Sequence, residues 1–417
     1  MSKILVITYA FPPSSAIGAL RPWGLYRHLS SYGWDPVILT ASAGESLADV
    51  IRIPHRPAPE RLRELLGLPK DAPGLIARSV RAFRLAAGQF AMNAEIERGW
   101  QAPAVAAAIE RLARENCQAI LSTSPPATTH LIARKLKART GIPWIADLRD
   151  LWADNYTYGW SELRRSIDRK IQSRVLGDAD ALVTVSEPLA QTLRSHSSQP
   201  VWSVPNGFPP EESARSDQPL SAKFSVTYTG TLYAGKRDPT PLFQALKGLI
   251  ASEQVDSRLI EVRFCGRNVD QTWLNGLIAG HGLSSQVTIG GLLPRRDALE
   301  RQRESQLLLA LDWMDVTQKG VYTGKIFEYL AARRPILSIG PRGSVVDTLL
   351  QETGAGLQCE TPNQVAEFLI KSYNEFAQTG RVAFLGNPDA IREYDHASMA
   401  RRFATLLTPL VEQSRPA

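Results

Sequence analysis

Short apolar runs alternate with longer segments rich in Ala, Leu and Arg along the whole chain. In the first half KILVITYA, DPVILTA, QAILSTS, PWIADL, ALVTVS and VWSVP read as strands. In the second half FSVTYTG, LIEVRFCG, VTIGG, LLLALD, PILSIG and GLQCE do the same. Near-continuous apolar or β-branched runs, separated by stretches of helical length, predict parallel sheets with helices on both faces. The alternation breaks at NGFPPEESARSDQPLSAK, Asn206 to Lys223, which is polar and rich in Pro and Ser. The pattern therefore predicts an α/β chain of two domains, 1–206 and 224–390, joined by a linker at 207–223. A helical tail at 391–417 is expected to pack back across them.

Composition adds little until charge is located. A chain of 417 residues with 44% hydrophobic and 21% charged positions suits two globular domains. Cys117, Cys265 and Cys359 lie far apart without metal-ligand spacing, as expected of small buried residues in a reducing compartment. The apolar run in MSKILVITYAFPP is too short for a secretory signal, and no run reaches the roughly 18 residues of a spanning helix. These features predict a cytoplasmic protein. The net charge is +7, and residues 1–206 hold 25 Lys/Arg against 18 Asp/Glu, so the first domain carries all of it. The excess thickens in an insertion at 51–90, where Arg78, Arg81 and Arg84 are spaced for one helical face. That insertion is either a solvated basic face or a segment lying on an anionic membrane surface, which would make the protein peripheral at the inner membrane. No nucleic-acid-binding motif is present, and no nucleic-acid partner is expected.

Ligands of open α/β sheets bind beyond the carboxyl ends of the strands, so the residues just after each strand carry the candidate chemistry. After the first strand, Gly18 permits close backbone approach ahead of a helix whose free N–H groups suit an anion. After PWIA comes DLRDLWADNYTYGW, which concentrates Asp147, Arg149, Asp150, Trp152, Tyr156, Tyr158 and Trp160. Aromatics can stack on sugar rings while charged groups fix hydroxyls; core packing around a structural Arg–Asp pair is the alternative. In YTGTLYAGKRDPTPLF, Gly230 and Gly235 bracket a loop, and Lys236 and Arg237 precede a helix near Pro239. Adjacent cations beside a helix start suit a diphosphate. Neither a G-x-G-x-x-G fingerprint nor a P-loop is present, which argues against dinucleotide oxidoreductases and ATPases.

The Gly18 loop, VPNGF at the domain junction, YTGTLYAGK and TGKIFEYLAARRPIL together resemble bacterial retaining glycosyltransferases of the family-four type. The resemblance spans nearly the whole chain, and DLRD is similar to a polysaccharide-building sub-branch. It implies the GT-B fold, two facing Rossmann-like domains with a central cleft. It also implies a hexosyltransferase that moves sugar from a nucleoside diphosphate sugar to a glycan or lipid-linked acceptor, without metal or bound cofactor, in exopolysaccharide biosynthesis. In this family the helix of TGKIFEYL binds the donor, so Glu328 would accept the ribose hydroxyls, with Thr323 and Gly324 at the helix start near the diphosphate and Lys325 beside them. An ordinary Lys325–Glu328 surface pair is the alternative.

The resemblance implies donor contacts from Gly18, Gly230, Lys236, Arg237, Thr323, Gly324, Lys325 and Glu328. Catalytic positions would be Asp147, Arg149 and Lys236, and the acceptor would meet Asp150, Trp152, Tyr156 and Tyr158. The sequence departs from the family at Gly320, where many relatives carry a first glutamate, at Thr231, where many carry a basic residue, and at Asp147, near which many carry a histidine. Gly320 is the argument for a catalytically silent partner subunit; a nucleotide-sugar epimerase is the other rival on this fold.

Overall fold

All twelve apolar runs form strands, and every pairing between these strands among the described residues is parallel. The computed structural model describes residues 1–55, 97–155, 161–213, 219–233, 236–266, 271–313 and 320–413. They divide into two compact units, residues 1–205 with 399–417 and residues 206–398.

The first unit holds β1 (Ser2–Thr8), β2 (Trp34–Thr40), β3 (Val50–Arg52), β4 (Cys117–Ser124), β5 (Trp144–Leu148), β6 (Ala181–Thr184) and β7 (Val201–Ser203). Their order across the sheet is β3-β2-β1-β4-β5-β6-β7. Helices α1 (Leu20–His28), α2 (Arg98–Arg114), α3 (Thr128–Thr140), α4 (Glu162–Leu176) and α5 (Glu187–Arg194) connect them. Side chains alternate across the pleat: Leu5 and Ile7 join one core with Trp100 and Ile132, while Ile4 and Val6 join another with Leu25 and Phe403. β3 is the strand that the hydrophobic pattern missed. Three residues at a sheet edge are too short to show a period.

The second unit holds β8 (Phe224–Thr229), β9 (Ile260–Cys265), β10 (Val287–Gly291), β11 (Leu307–Leu311), β12 (Ile336–Ile339) and β13 (Gly356–Cys359), ordered β10-β9-β8-β11-β12-β13. Its longer helices are α6 (Thr240–Ala251), α7 (Gln271–Gly280), α8 (Arg295–Arg303), α9 (Lys325–Ala332), α10 (Val345–Thr353) and α11 (Pro362–Thr379). Residues 206–213, expected as linker, fold with this unit. Phe208 exchanges backbone hydrogen bonds with Tyr394 and His396, and Glu212 pairs with Arg295. The last helix, α12 (His396–Gln413), buries Met399, Phe403 and Leu407 in the first unit's core.

Each sheet reverses its strand order once, between β1 and β4 in the first unit and between β8 and β11 in the second. A crevice opens at such a reversal, because the flanking connections leave in opposite directions.

Candidate functional site

At the second reversal, the loop after β8 meets the residues that follow β11. Lys236 lies with its Nζ 4.6 Å from the centre of the Trp313 ring, and it has no carboxylate partner among the described residues. Arg237 stacks over Tyr233 at 5.0 Å and donates from Nη1 to the Thr231 carbonyl at 3.3 Å, while its buried Nε has no partner. Two cations thus stand at the carboxyl end of β8 with little local compensation. Asp312, first residue after β11, is the nearby acid. It accepts from the Trp313 N–H at 2.9 Å, and burial pushes its carboxyl up to about 6 against the pull of Arg237. Gly340 is required here, since a Cβ on it would lie 2.6 Å from Asp312 Cβ. The start of α6 offers less than expected: Asp238 already accepts the Thr240 N–H at 2.9 Å.

Glu328 sits one turn into α9, 5% exposed among Ile326, Phe327 and Tyr329. Its Oε2 accepts from Gln302 at 3.1 Å and from Lys325 at 2.9 Å. Its Oε1 accepts no hydrogen bond from a described residue. The Gln302 amide also donates to Thr229 Oγ1 at 2.8 Å, and the Thr229 N–H donates to the Tyr329 hydroxyl at 2.9 Å. Thr229 is the last residue of β8, so these bonds tie Glu328 to the strand end where the Gly230 loop begins. Gly324 precedes α9 with no side-chain cap, and Thr323 is buried beside it, leaving the helix start open to an anion. The helix stops at Arg333, whose left-handed φ of 51° and following Arg334-Pro335 end the turn. The Lys325–Glu328 pair does form, but one carboxylate oxygen remains free of it.

The first unit arranges its predicted residues differently from expectation. Arg149 reaches across the β1/β4 reversal, donating to the carbonyls of Ser124 at 2.6 Å, Gly18 at 2.8 Å and Pro125 at 3.2 Å. It clamps the two loops together through these three neutral carbonyls. Gly18 is glycine because of this clamp: a Cβ would meet Arg149 Nη1 at 2.8 Å. In this structure it is the Arg149 guanidinium that closely approaches the Gly18 backbone. Asp150 lies next to Arg149, and burial raises its carboxyl pKa while Arg149 opposes the rise.

Two further residues, in and just after β5, are buried. Asp147 is fully buried, with Oδ2 accepting from Arg21 Nε at 2.9 Å and Thr123 Oγ1 at 2.7 Å, and Oδ1 from Arg21 Nη2 at 2.8 Å. Arg21 continues to the Pro205 carbonyl at 2.9 Å and over the Phe403 ring at 5.0 Å. Asp147 is therefore a brace joining α1, β5, the chain's exit at Pro205 and α12, with its lone pairs turned away from solvent. Trp152 is 3% exposed and packs in the core beside Leu151 and Val175, so it presents no face to a sugar. Tyr156, Tyr158, Trp160, Gly235 and residues 56–90 of the basic insertion lie outside the described residues.

Gln302 and Asp312 escaped the sequence reading. Asp312 stood one residue past an apolar run and was readable by the strand-end rule; Gln302, inside RRDALERQR, gave no local signal. Among the described residues no three His, Cys, Asp or Glu side chains gather as a cation site.

Residues 19–207 match the glycosyl transferase 4-like domain. No curated protein matches the chain by sequence. Sucrose-phosphate synthase from Thermosynechococcus elongatus is similar in structure at 15% identity and TM-score 0.58, over 99% of this chain and 100% of that one. Anabaena HepE in complex with UDP and glucose is similar at 13% identity and TM-score 0.60, over 98% and 100%. WaaG, a glycosyltransferase involved in lipopolysaccharide biosynthesis, is similar at 12% identity and TM-score 0.53, over 99% and 98%. The fold is α/β of the GT-B type, with Rossmann-like units on sheets of seven and six strands.

Proposed function

We propose that this chain is a metal-independent hexosyltransferase. In this reading it moves sugar from a nucleoside diphosphate sugar to a glycan or lipid-linked acceptor with retention of anomeric configuration. The setting would be cell-surface polysaccharide synthesis on the cytoplasmic side of the membrane. The observation that carries the reading is Glu328, a nearly buried carboxylate oriented by Gln302 and Lys325, with Oε1 open at the second unit's strand reversal. A carboxylate held this way can accept the hydroxyls of a ribose as charge-assisted hydrogen bonds. The glycosyl transferase 4-like match and the UDP and glucose bound in HepE support a nucleotide-sugar donor.

The donor diphosphate would lie against the Gly230 loop, Lys236, Arg237 and the uncapped start of α9 at Thr323 and Gly324. Bond breaking at the anomeric carbon leaves the electron pair on the β-phosphate oxygen. Lys236 and Arg237 stabilise that charge as it forms. The acceptor hydroxyl attacks from the leaving-group side and gives its proton to the departing phosphate oxygen, which balances the step without a covalent enzyme intermediate. Arg149 and Asp150 would position the acceptor in the first unit, with Asp147 as support behind them. Gly320, in place of a family glutamate, favours a silent partner subunit as the second reading.

A thermal-shift panel with UDP, GDP, TDP and NAD on wild type and Glu328→Ala separates the two. A ligand at ~100 times its dissociation constant adds about 2.7 kcal/mol to the native state. Stabilisation by one nucleoside diphosphate, lost in Glu328→Ala, is expected; no shift with any of them supports the silent subunit.

A further inference from the structure

Asp312 is an acid placed where the second unit otherwise gathers cations. β11 and β8 run parallel with Leu307 opposite Val226 and Leu308 opposite Thr227, and continuing that register sets Asp312 level with Thr231. Thr231 is the residue whose carbonyl accepts from the Arg237 guanidinium. The Asp312 backbone is fixed by its N–H, which donates to the Ile339 carbonyl at 2.9 Å. Its side chain packs on the bare Gly340 backbone and accepts from the Trp313 N–H and the Ser344 hydroxyl. Among the described residues no ion pair joins Asp312 to Lys236 or Arg237, whose charges rest on the Trp313 and Tyr233 rings. Cations held on rings turn to an incoming anion at small cost.

A nucleotide sugar brings two negative charges to these strand ends. An ionised Asp312 would repel them and offset one of the two cations. A neutral carboxylic acid does neither, and its O–H can donate to a phosphate oxygen. Burial has already brought this carboxyl up to about 6, so a proton is within reach near neutral pH. The charged groups on the surrounding elements are Lys236 and Arg237 after β8, Arg342 and Asp347 on the turn into α10 and its first turn, and Glu360 after β13. Of these, Arg237 acts on Asp312 directly and draws its carboxyl down. Asp347 is turned to the Gly343 N–H at 2.8 Å, and Glu360 to the Arg342 N–H at 2.6 Å. Burial raises two further groups nearby, the Tyr228 hydroxyl and the Cys359 thiol, the latter to about 11. Arg267, Asp270, Asp315 and Lys319 lie outside the described residues.

We propose that Asp312 binds the donor as a neutral acid: the diphosphate of a nucleotide sugar and one proton from solvent enter this site together, the proton going to the Asp312 carboxylate. The inference rests on the donor reading given above and adds to it a binding group whose charge is set by the ligand. Affinity is then greatest at acid pH, where the proton is already in place. It falls as pH rises through 6, because the proton must be drawn from solvent.

The test is calorimetric titration of the full chain with UDP-glucose, and with GDP-mannose as second probe, at about pH 6 and pH 7.5. A diphosphate diester carries no group that titrates in this interval, whereas the terminal phosphate of free UDP does. Wild-type affinity should fall about tenfold across it, and at about pH 7 the heats in Hepes and Tris should differ by the uptake of roughly half a proton or more per ligand. Asp312→Asn keeps a neutral donor at every pH. It should bind without pH dependence, about tenfold more tightly than wild type at the higher pH, and with no proton taken up. Wild type that binds equally at both pH values and takes up no proton overturns the inference and leaves the donor reading standing. So does a pH dependence that persists unchanged in Asp312→Asn, which gives the proton to another group, and so does weaker binding by Asp312→Asn at both pH values, which makes the carboxylate the binding form. If neither probe binds, the donor reading fails and the inference falls with it.

Discussion

Replacing Asp147 by asparagine should destabilise the first unit rather than disable the chemistry. The carboxylate is wholly buried and receives two bonds from Arg21 and one from Thr123, at 2.7 to 2.9 Å. A neutral amide at this position would remove the carboxylate charge that faces the buried Arg21 guanidinium. Breaking such a pair from one side costs about 3–5 kcal/mol, whereas removing both charges together is often neutral. With an assumed urea m-value of about 2–3 kcal/mol/M, the single variant should move the unfolding midpoint down by about 1–2 M. Arg21→Met/Asp147→Leu should recover most of that loss. Tryptophan emission is a suitable probe, because seven of the nine tryptophans lie within residues 1–205. Nucleotide binding by the second unit should be unchanged in conditions where the variant is folded. A midpoint within about 0.3 M of wild type, together with lost sugar transfer, would refute the reasoning and return Asp147 to direct contact with substrate.

His130 and Asp312 predict opposite pH dependences in the two units. Burial holds the His130 imidazole down to about 4, with Asp147 pulling the other way, so the native state resists a proton that the unfolded chain takes up near 6.5. Its contribution is therefore complete above pH 6.5 and lost as pH falls toward 4, roughly 3 kcal/mol in all. His130→Gln should flatten the acid limb of the first unit's urea midpoint, and an unaltered limb would exclude His130 as its source. Asp312, raised by burial to about 6, holds its proton more tightly when folded, so its contribution is present below about pH 4 and lost as pH rises through 6. Asp312→Asn should gain thermal stability over wild type at pH 8 and show no gain at pH 4; equal midpoints at both would contradict this.

The parallel strands were legible because a strand buried on both faces is apolar or β-branched at most positions, in runs bounded by turn residues. Glu328 stands out in KIFEYLAA for a related reason, because a carboxylate among buried residues needs a purpose. The partners of the polar residues at and after the end of β5 were not legible, because they depend on what lies across from each strand end. Asp147 and Arg149 are two positions apart, yet Asp147 is held by Arg21 and Arg149 reaches the Gly18 carbonyl, each more than a hundred residues away. Trp152 reads as a sugar platform until its side chain is seen inside the core. Helix α4 misleads in the same way: the i,i+4 row Leu163, Ile167, Ile171 and Val175 reads as core, yet only Val175 is buried, beside Arg164 and Asp168.

The central claim is that Glu328 receives the ribose of a nucleotide donor. Calorimetric titration of UDP and its 2′,3′-dideoxy analogue into wild type and Glu328→Ala isolates that contact as a double-substitution cycle, with the guanosine pair used instead if the panel selects GDP. Hydrogen bonds to a charged group contribute about 1.5–3 kcal/mol each. Wild type should therefore lose at least tenfold in affinity with the dideoxy analogue. Glu328→Ala should bind both nucleotides equally and about as weakly as wild type binds the analogue. A dideoxy penalty of the same size in both proteins would mean that the ribose is held elsewhere, and that Glu328 only anchors Gln302 and Lys325.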